Sequence, residues 1–194
     1  MDIGRINKTN VGRIAERIVA NELEYRGFRV SDLNKEGTST NADLVAARDG
    51  RTWQIQVKGA TNDEGALWFH YGHCNEDTIV GKEPMFNRHS GFYTADIVVL
   101  VAVRSPREYC CLVMPVEAAE EAAEINLDRE FRAPKRDGTA HKPHKVWIPL
   151  DPTPRETESK KPSYGRERQI LNDHKDKWDI FDGGIRPRVE AAAV

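Results

Sequence analysis

Trp53-Gln54-Ile55-Gln56-Val57-Lys58 is the stretch that decides the fold. Extended, it sends Trp53, Ile55 and Val57 to one face and Gln54, Gln56 and Lys58 to the other. Just before it, Ala42-Asp43-Leu44-Val45-Ala46-Ala47 reads as a second strand, joined through Arg48-Asp49-Gly50-Arg51. Asp-Gly between apolar runs is a strong hairpin signal, so the two strands are predicted to pair. An acid (Asp43), an amide (Gln56) and an ammonium (Lys58) then converge at the edge of an apolar sheet.

Upstream, Asn7–Asn10 supplies N-cap candidates for a helix running to about Arg26 and stopping at Gly27. Val11, Ile14, Ala15, Ile18, Val19 and Leu23 share one broad face of it, with Glu16 at the margin. Phe28–Val30 reads as a short strand, and Asn34–Asn41 as a polar loop. Downstream, Ala66–Tyr71 is a candidate strand and Asn75–Ser90 an irregular insertion. Ala95–Val103 is almost uninterruptedly apolar, as expected of a central strand covered on both faces. Tyr109–Met114 is the next strand, and Pro115 opens a helix over Val116–Glu124. Val146–Ile148 is expected to close the sheet. A Pro-rich polar linker, Asp151–Pro162, leads to a mixed-charge helix near Arg166–Ile180.

This order predicts an α/β fold with a mixed central sheet flanked by helices, the N-terminal helix first. The expected division is a domain over residues 1–150, then a linker and helical tail over 151–194. The chain has 194 residues, of which 31% are charged, and no run approaches the ~20 apolar residues of a membrane span. The N-terminus lacks the apolar core of a secretory signal, which makes the cytoplasm the expected location. Cys74, Cys110 and Cys111 do not make a disulfide framework, and Cys110 and Cys111 are read as small core or surface residues. A formal net charge of −2 argues against a polybasic nucleic-acid protein, but a local basic stripe suffices for phosphate contacts.

Gly12-Arg13-Ile14-Ala15-Glu16, Gly27–Val30, Ala42–Val45 and Ile55–Lys58 stand together in a pattern that resembles the PD-(D/E)XK nuclease superfamily. Within it the chain is most similar to archaeal Holliday-junction resolvases and to small intron-encoded or restriction-like endonucleases. Asp96–Val101 and Cys111–Pro115 also look like the closing strands of such domains. The resemblance covers roughly residues 10–125. It implies a restriction-endonuclease-like core and a metal-dependent DNA endonuclease using Mg²⁺ or Mn²⁺. It departs from the motif at Ala42, where Pro is usual, and at Gln56, where a carboxylate is usual.

The chemistry of the residues agrees with those roles. Phosphodiester hydrolysis asks for a cation on the nonbridging oxygens and an activated water in line. Mg²⁺ takes oxygen ligands, which Asp43, the Gln56 amide and the Val57 backbone carbonyl can provide. Lys58 would orient or deprotonate the water, and Glu16 would hold a metal-bound water or a second ion. Cutting two strands asks for two sites, hence the expectation of a homodimer.

Plainer readings stand beside these. Gln-x-Lys is common on polar strand faces, and Glu16, Asp43 and Lys58 could form only an ion-pair cluster. A nuclease-like module that binds DNA or a partner without cutting is the alternative function that Gln56 favours. Arg132, Lys135, Arg136, Lys142 and Lys145 are candidate DNA-backbone contacts in a basic stretch that would otherwise be a solvated loop. His70-x-x-His73-Cys74 and His141-x-x-His144 have zinc-like spacings but lack paired cysteines. Trp68, Phe69 and Tyr71 are read as core residues and not base-stacking ones.

Overall fold

The computed structural model describes residues 8–33, 42–61, 66–69, 79–80, 83–84, 95–105, 108–132, 146–149 and 162–183. Helix α1 (Lys8–Tyr25) opens the chain, followed by strands β1 (Arg29–Asp32), β2 (Leu44–Arg48) and β3 (Arg51–Thr61). Strands β4 (Ala66–Phe69), β5 (Ile79–Val80), β6 (Glu83–Pro84), β7 (Ile97–Ser105) and β8 (Glu108–Pro115) come next. Helix α2 (Val116–Arg132), strand β9 (Val146–Pro149) and helices α3 (Pro162–Asp173) and α4 (Ile180–Gly183) complete the order.

Helix α1 ends where the sequence says it should. Gly27, at φ 82°, takes the left-handed conformation that favours glycine. Its N–H donates to the Glu24 carbonyl at 2.9 Å, and the Phe28 N–H to the Leu23 carbonyl at 3.1 Å. Those two bonds are a Schellman stop, with Phe28 and Leu23 buried in the same cluster. The Asp49-Gly50 turn has both residues at positive φ, 53° and 75°. That is the two-residue turn whose twist matches paired strands.

The main sheet has five strands in the order β1-β2-β3-β7-β8. Only the β3–β7 pair is parallel, with Gln56 abreast of Val98 and Lys58 of Leu100. The α/β architecture, mixed sheet and leading helix are therefore as expected. One face carries Trp53, Ile55, Val57, Ile97, Val99 and Val101, packed against Ala15, Val19 and Leu23 of α1. The other carries Val98, Leu100, Ala102, Leu112 and Met114, packed against α2 and against Ile170 and Leu171 of α3. Every residue of β7 from Ile97 to Val103 is buried, as its unbroken apolar run predicts for a strand covered on both faces.

Three expectations are corrected. Val146–Ile148 does not close the main sheet: β9 pairs antiparallel with β4 in a separate two-stranded sheet. The outer edge of β8 is already taken. The Val113 N–H donates to the His174 carbonyl at 2.9 Å, and the Asp176 N–H to the Cys111 carbonyl at 2.7 Å. The helix expected over Arg166–Ile180 is interrupted for the same reason, since α3 ends at Asp173 and Asp176 sits at φ 49° to make this bridge. The irregular insertion contains a short antiparallel pair, β5 with β6.

Helices α3 and α4 lie in the stretch assigned to a helical tail, and their apolar residues belong to the two cores. Trp178 and Phe181 are buried with Phe28 and Trp53. Phe28, Trp53 and Phe181 meet edge to face, at centroid distances of 5.1–5.7 Å. Arg48 lies over the Phe28 ring at 4.1 Å and also pairs with Asp182. Among the described residues, no helix is long and apolar enough to cross a membrane.

Candidate active site

The geometry of the site follows from where β2 and β3 part. Their ladder runs from Arg48↔Arg51 to Leu44↔Ile55, while β3 continues to Thr61 beside β7. Backbone groups in a strand alternate between its two edges. The Gln54 carbonyl accepts from the Asp96 N–H at 2.8 Å, on the β7 side. Ile55 and Val57 therefore present their N–H and C=O groups to the β2 side. Asp43 stands there, its own N–H donating to the Ile55 carbonyl at 2.9 Å. Its Oδ2 accepts the Val57 N–H at 2.7 Å and a hydrogen bond from Gln56 Nε2. The carboxylate thus fills the gap that opens at the end of the ladder.

Gln56 is only 3% exposed, although it lies on the face expected to be polar. A buried amide must find partners, and donating to Asp43 satisfies one end of it. A glutamate here would set two carboxylates against each other, whereas Gln56 turns that contact into attraction. Lys58, two residues on, shares the face and is half-buried. Val57 enters the contact through its N–H, and its carbonyl points to the same edge by the alternation above.

Asp96 is a site residue that sequence reasoning misses. It is 5% exposed, its Oδ2 accepts the Gln54 N–H at 2.8 Å, and its carbonyl accepts the Val116 N–H at 3.1 Å. It therefore ties β3 just ahead of Gln56 to β7 and to the start of α2. The available signal was an acid at the head of an otherwise apolar run.

Glu16 is placed on the other layer. It is half-buried on α1, which covers the Ile55–Val57 face, and lines a groove of ≈ 360 Å³ with Arg13, Arg17, Asp32 and Leu44. Leu44 adjoins Asp43, so the groove reaches the chain segment that carries the site. Close packing of α1 depends on Gly59: a Cβ there would stand 2.5 Å from Ala15 Cβ and 3.0 Å from the Val11 carbonyl.

Of the candidate DNA contacts, Arg132 ends α2, and Lys135, Arg136, Lys142 and Lys145 lie outside the described residues. So do His70, His73, Cys74, His141, His144 and Tyr71, and nothing is described of the Trp68 and Phe69 side chains. Cys111 is buried and Cys110 half-buried, both as free thiols. Burial, reinforced by Asp176, pushes the Cys111 thiol far up. It is an inert core group.

Among the described residues, no three His, Cys, Asp or Glu side chains cluster to hold a metal. The oxygen donors at the gap are still of the kind a hard divalent ion takes, one carboxylate with an amide and a backbone carbonyl. Gln56 turns its nitrogen to Asp43, and rotation about its terminal torsion, which is broad and two-fold, brings Oε1 there instead. The residues fit Mg²⁺ or Mn²⁺ with a low charge count.

No family model matches the chain. The solved structure of a bacterial homing endonuclease superposes with a TM-score of 0.45 and 17% identity, over 89% of this chain and 91% of that one. A UPF0102 protein of Renibacterium salmoninarum is 33% identical over 109 residues, which are 52% of this chain and 86% of that protein. With most of that relative's length matched at this identity, the chain belongs to the UPF0102 family.

Proposed function

We propose that the chain is a metal-dependent DNA endonuclease. The observation that carries this reading is the Asp43 carboxylate held by Gln56 and the Val57 N–H where β2 and β3 part. Lys58 follows on the same face as Gln56. Asp43, with the Gln56 amide and the Val57 carbonyl, would hold Mg²⁺ or Mn²⁺. When bound, the ion supplies charge on the phosphoryl oxygens and lowers the pKa of its water. Asp43 is held in place for this by the two donors on Oδ2. The Lys58 ammonium would orient the attacking water through an N–H donor or offset charge on the phosphate. Glu16 lines the α1 groove next to Leu44, across the sheet from Gln56 and Lys58, so no step is assigned to it.

A second reading has its own observation. Gln56 Nε2 donates to Asp43 Oδ2, so the two side chains are already paired with each other. A nuclease-like module that binds DNA or a partner without cutting would have the same contact.

Supercoiled, linear and branched DNA incubated with the protein in Mg²⁺, Mn²⁺ or EDTA separates the two. Nicking or cutting that needs the metal and ceases in EDTA is the expected result. Retained DNA binding with no cleavage under any of these conditions would establish the binding module instead.

A further inference from the structure

The two hydrogen bonds on Asp43 Oδ2 differ in what can release them. The Val57 N–H belongs to the backbone and stays while β3 keeps its register beside β7. The Gln56 amide hangs on a terminal torsion that is broad and two-fold. An ionised carboxylate only accepts hydrogen bonds, so the amide atom that meets it is Nε2, and Oε1 points away from Asp43. Gln56 is buried, and among the described residues its side chain makes no other hydrogen bond. Buried polar groups are as a rule paired, so Oε1 is an acceptor out of place. Burial keeps the side chain from swinging out into water. A half-turn of the terminal torsion asks for no such movement, because it exchanges nitrogen and oxygen within nearly the same volume. Lys58 shares this face, and its ammonium makes no ion pair among the described residues. The donor beside Val57 on Oδ2 is therefore a neutral amide, and a cation need not break a Lys58 salt bridge to replace it.

We propose that the Gln56 amide is a two-position switch that regulates divalent-cation binding at Asp43. This rests on the metal-dependent reading of the same site and adds how that site is held in check. In the first position Nε2 presents its partial positive charge to the carboxylate, in the place of a cation. A cation there meets charge of its own sign, so this position opposes it. In the second position the amide has turned, and Oε1 faces Asp43 as a further oxygen donor. Affinity for the ion is then lower than the intrinsic affinity of the turned site, by the free energy of turning the amide. A glutamate at position 56 has no such first position, since it carries no donor when ionised. The rival arrangement is an amide that never leaves Asp43 and serves only to hold β3 against it.

The test needs no DNA. The chain has three glutamines, Gln54, Gln56 and Gln169, so ¹⁵N-glutamine labelling of the full chain gives three side-chain amide signals. Gln54→Ala and Gln169→Ala assign the signal of Gln56 by elimination. Mg²⁺ is then titrated in, followed by these signals and, in parallel, by isothermal calorimetry. The Gln56 amide protons should begin shifted downfield and slow to exchange with water, as protons bonded to a carboxylate are. They should move upfield and exchange faster with the same Kd that calorimetry gives, while Gln169 stays in place. Gln56→Met, which keeps the length and loses both amide atoms, should bind Mg²⁺ about tenfold more weakly. Thermal melting reports whether this variant is folded, and the amide signals of the parent decide the question if it is not. Mg²⁺ bound by calorimetry with the Gln56 amide unmoved and still slow to exchange overturns the switch. Equal or tighter binding by folded Gln56→Met overturns it as well, because the amide then only competes with the ion. In both cases the metal-dependent reading stands as long as Asp43→Asn abolishes the heat. No heat from the parent with either Mg²⁺ or Mn²⁺ overturns that reading and the switch together.

Discussion

A single atom changes the character of the site at position 56. Gln56→Glu would bring two carboxylates together, which raises the pKa of one of them. Metal affinity should rise, and it should increase with pH as the raised carboxylate loses its proton. Isothermal calorimetry with Mg²⁺ at several pH values reads this, and equal or weaker binding would remove Gln56 from the ligand set. Lys58→Ala should lower cleavage by about 10²–10⁴-fold with DNA affinity little changed. Unchanged turnover would take Lys58 out of the mechanism. Far from the site, Tyr109 donates its hydroxyl to Glu22 Oε1 at 2.7 Å, which, helped by partial burial, pushes its pKa up to about 12. A group with a raised folded pKa stabilises the fold below its unfolded pKa and loses that contribution as pH rises through the folded one. The window is therefore between the ordinary value of 10.0 and about 12. Ultraviolet titration should find a late-ionising tyrosine that Glu22→Gln moves back toward the ordinary value.

At the scale of elements, the contact of α1 with β3 is the tightest constraint on the layer that carries Glu16. Gly59→Ala would force Ala15 and the Val11 backbone away from the strand, since a Cβ cannot stand 2.5 Å from another. Overpacking of this kind costs about 1–3 kcal/mol. Ala15→Gly in the same chain should recover part of the loss, less the roughly 1 kcal/mol of helix propensity that glycine gives up. Chemical denaturation of the single and double variants would show it, and additive losses would mean that the two positions do not share the strain. The hairpin and the Schellman stop were legible because each is written in adjacent residues, Asp49-Gly50 and Gly27-Phe28. The break between α3 and α4 was not, because it is made by hydrogen bonds to Cys111 and Val113, some sixty residues earlier in the chain.

For the whole molecule, the segment after the Pro-rich stretch closes both cores and one sheet edge. Ile170, Leu171, Trp178 and Phe181 are all buried, and each such side chain contributes roughly 1.5–3 kcal/mol. Together they rival the roughly 5–15 kcal/mol that holds a typical domain folded. A chain ended at residue 161 should lose its cooperative thermal transition. Retention of a sharp melt close to that of the full chain would show that residues 8–149 fold without α3 and α4.

Local sequence determined α1, the start of α2 and the strands of the main sheet, which face of α1 and β3 is apolar, where the first helix stops and where the hairpin turns. Those properties follow from side-chain periodicity and from residues that tolerate positive φ. The convergence of Asp43 and Gln56 was also legible, because a two-residue turn fixes register and register fixes who faces whom. Only the tertiary structure decided that Gln56 is buried and donates to Asp43, that Asp96 pins β3 beside it, and that Glu16 stands on the opposite layer. It alone showed that residues 174–176 close the β8 edge and that β9 pairs with β4. These outcomes depend on which distant backbone reaches an open hydrogen-bonding edge, and on what covers each face, neither of which has a period in the sequence.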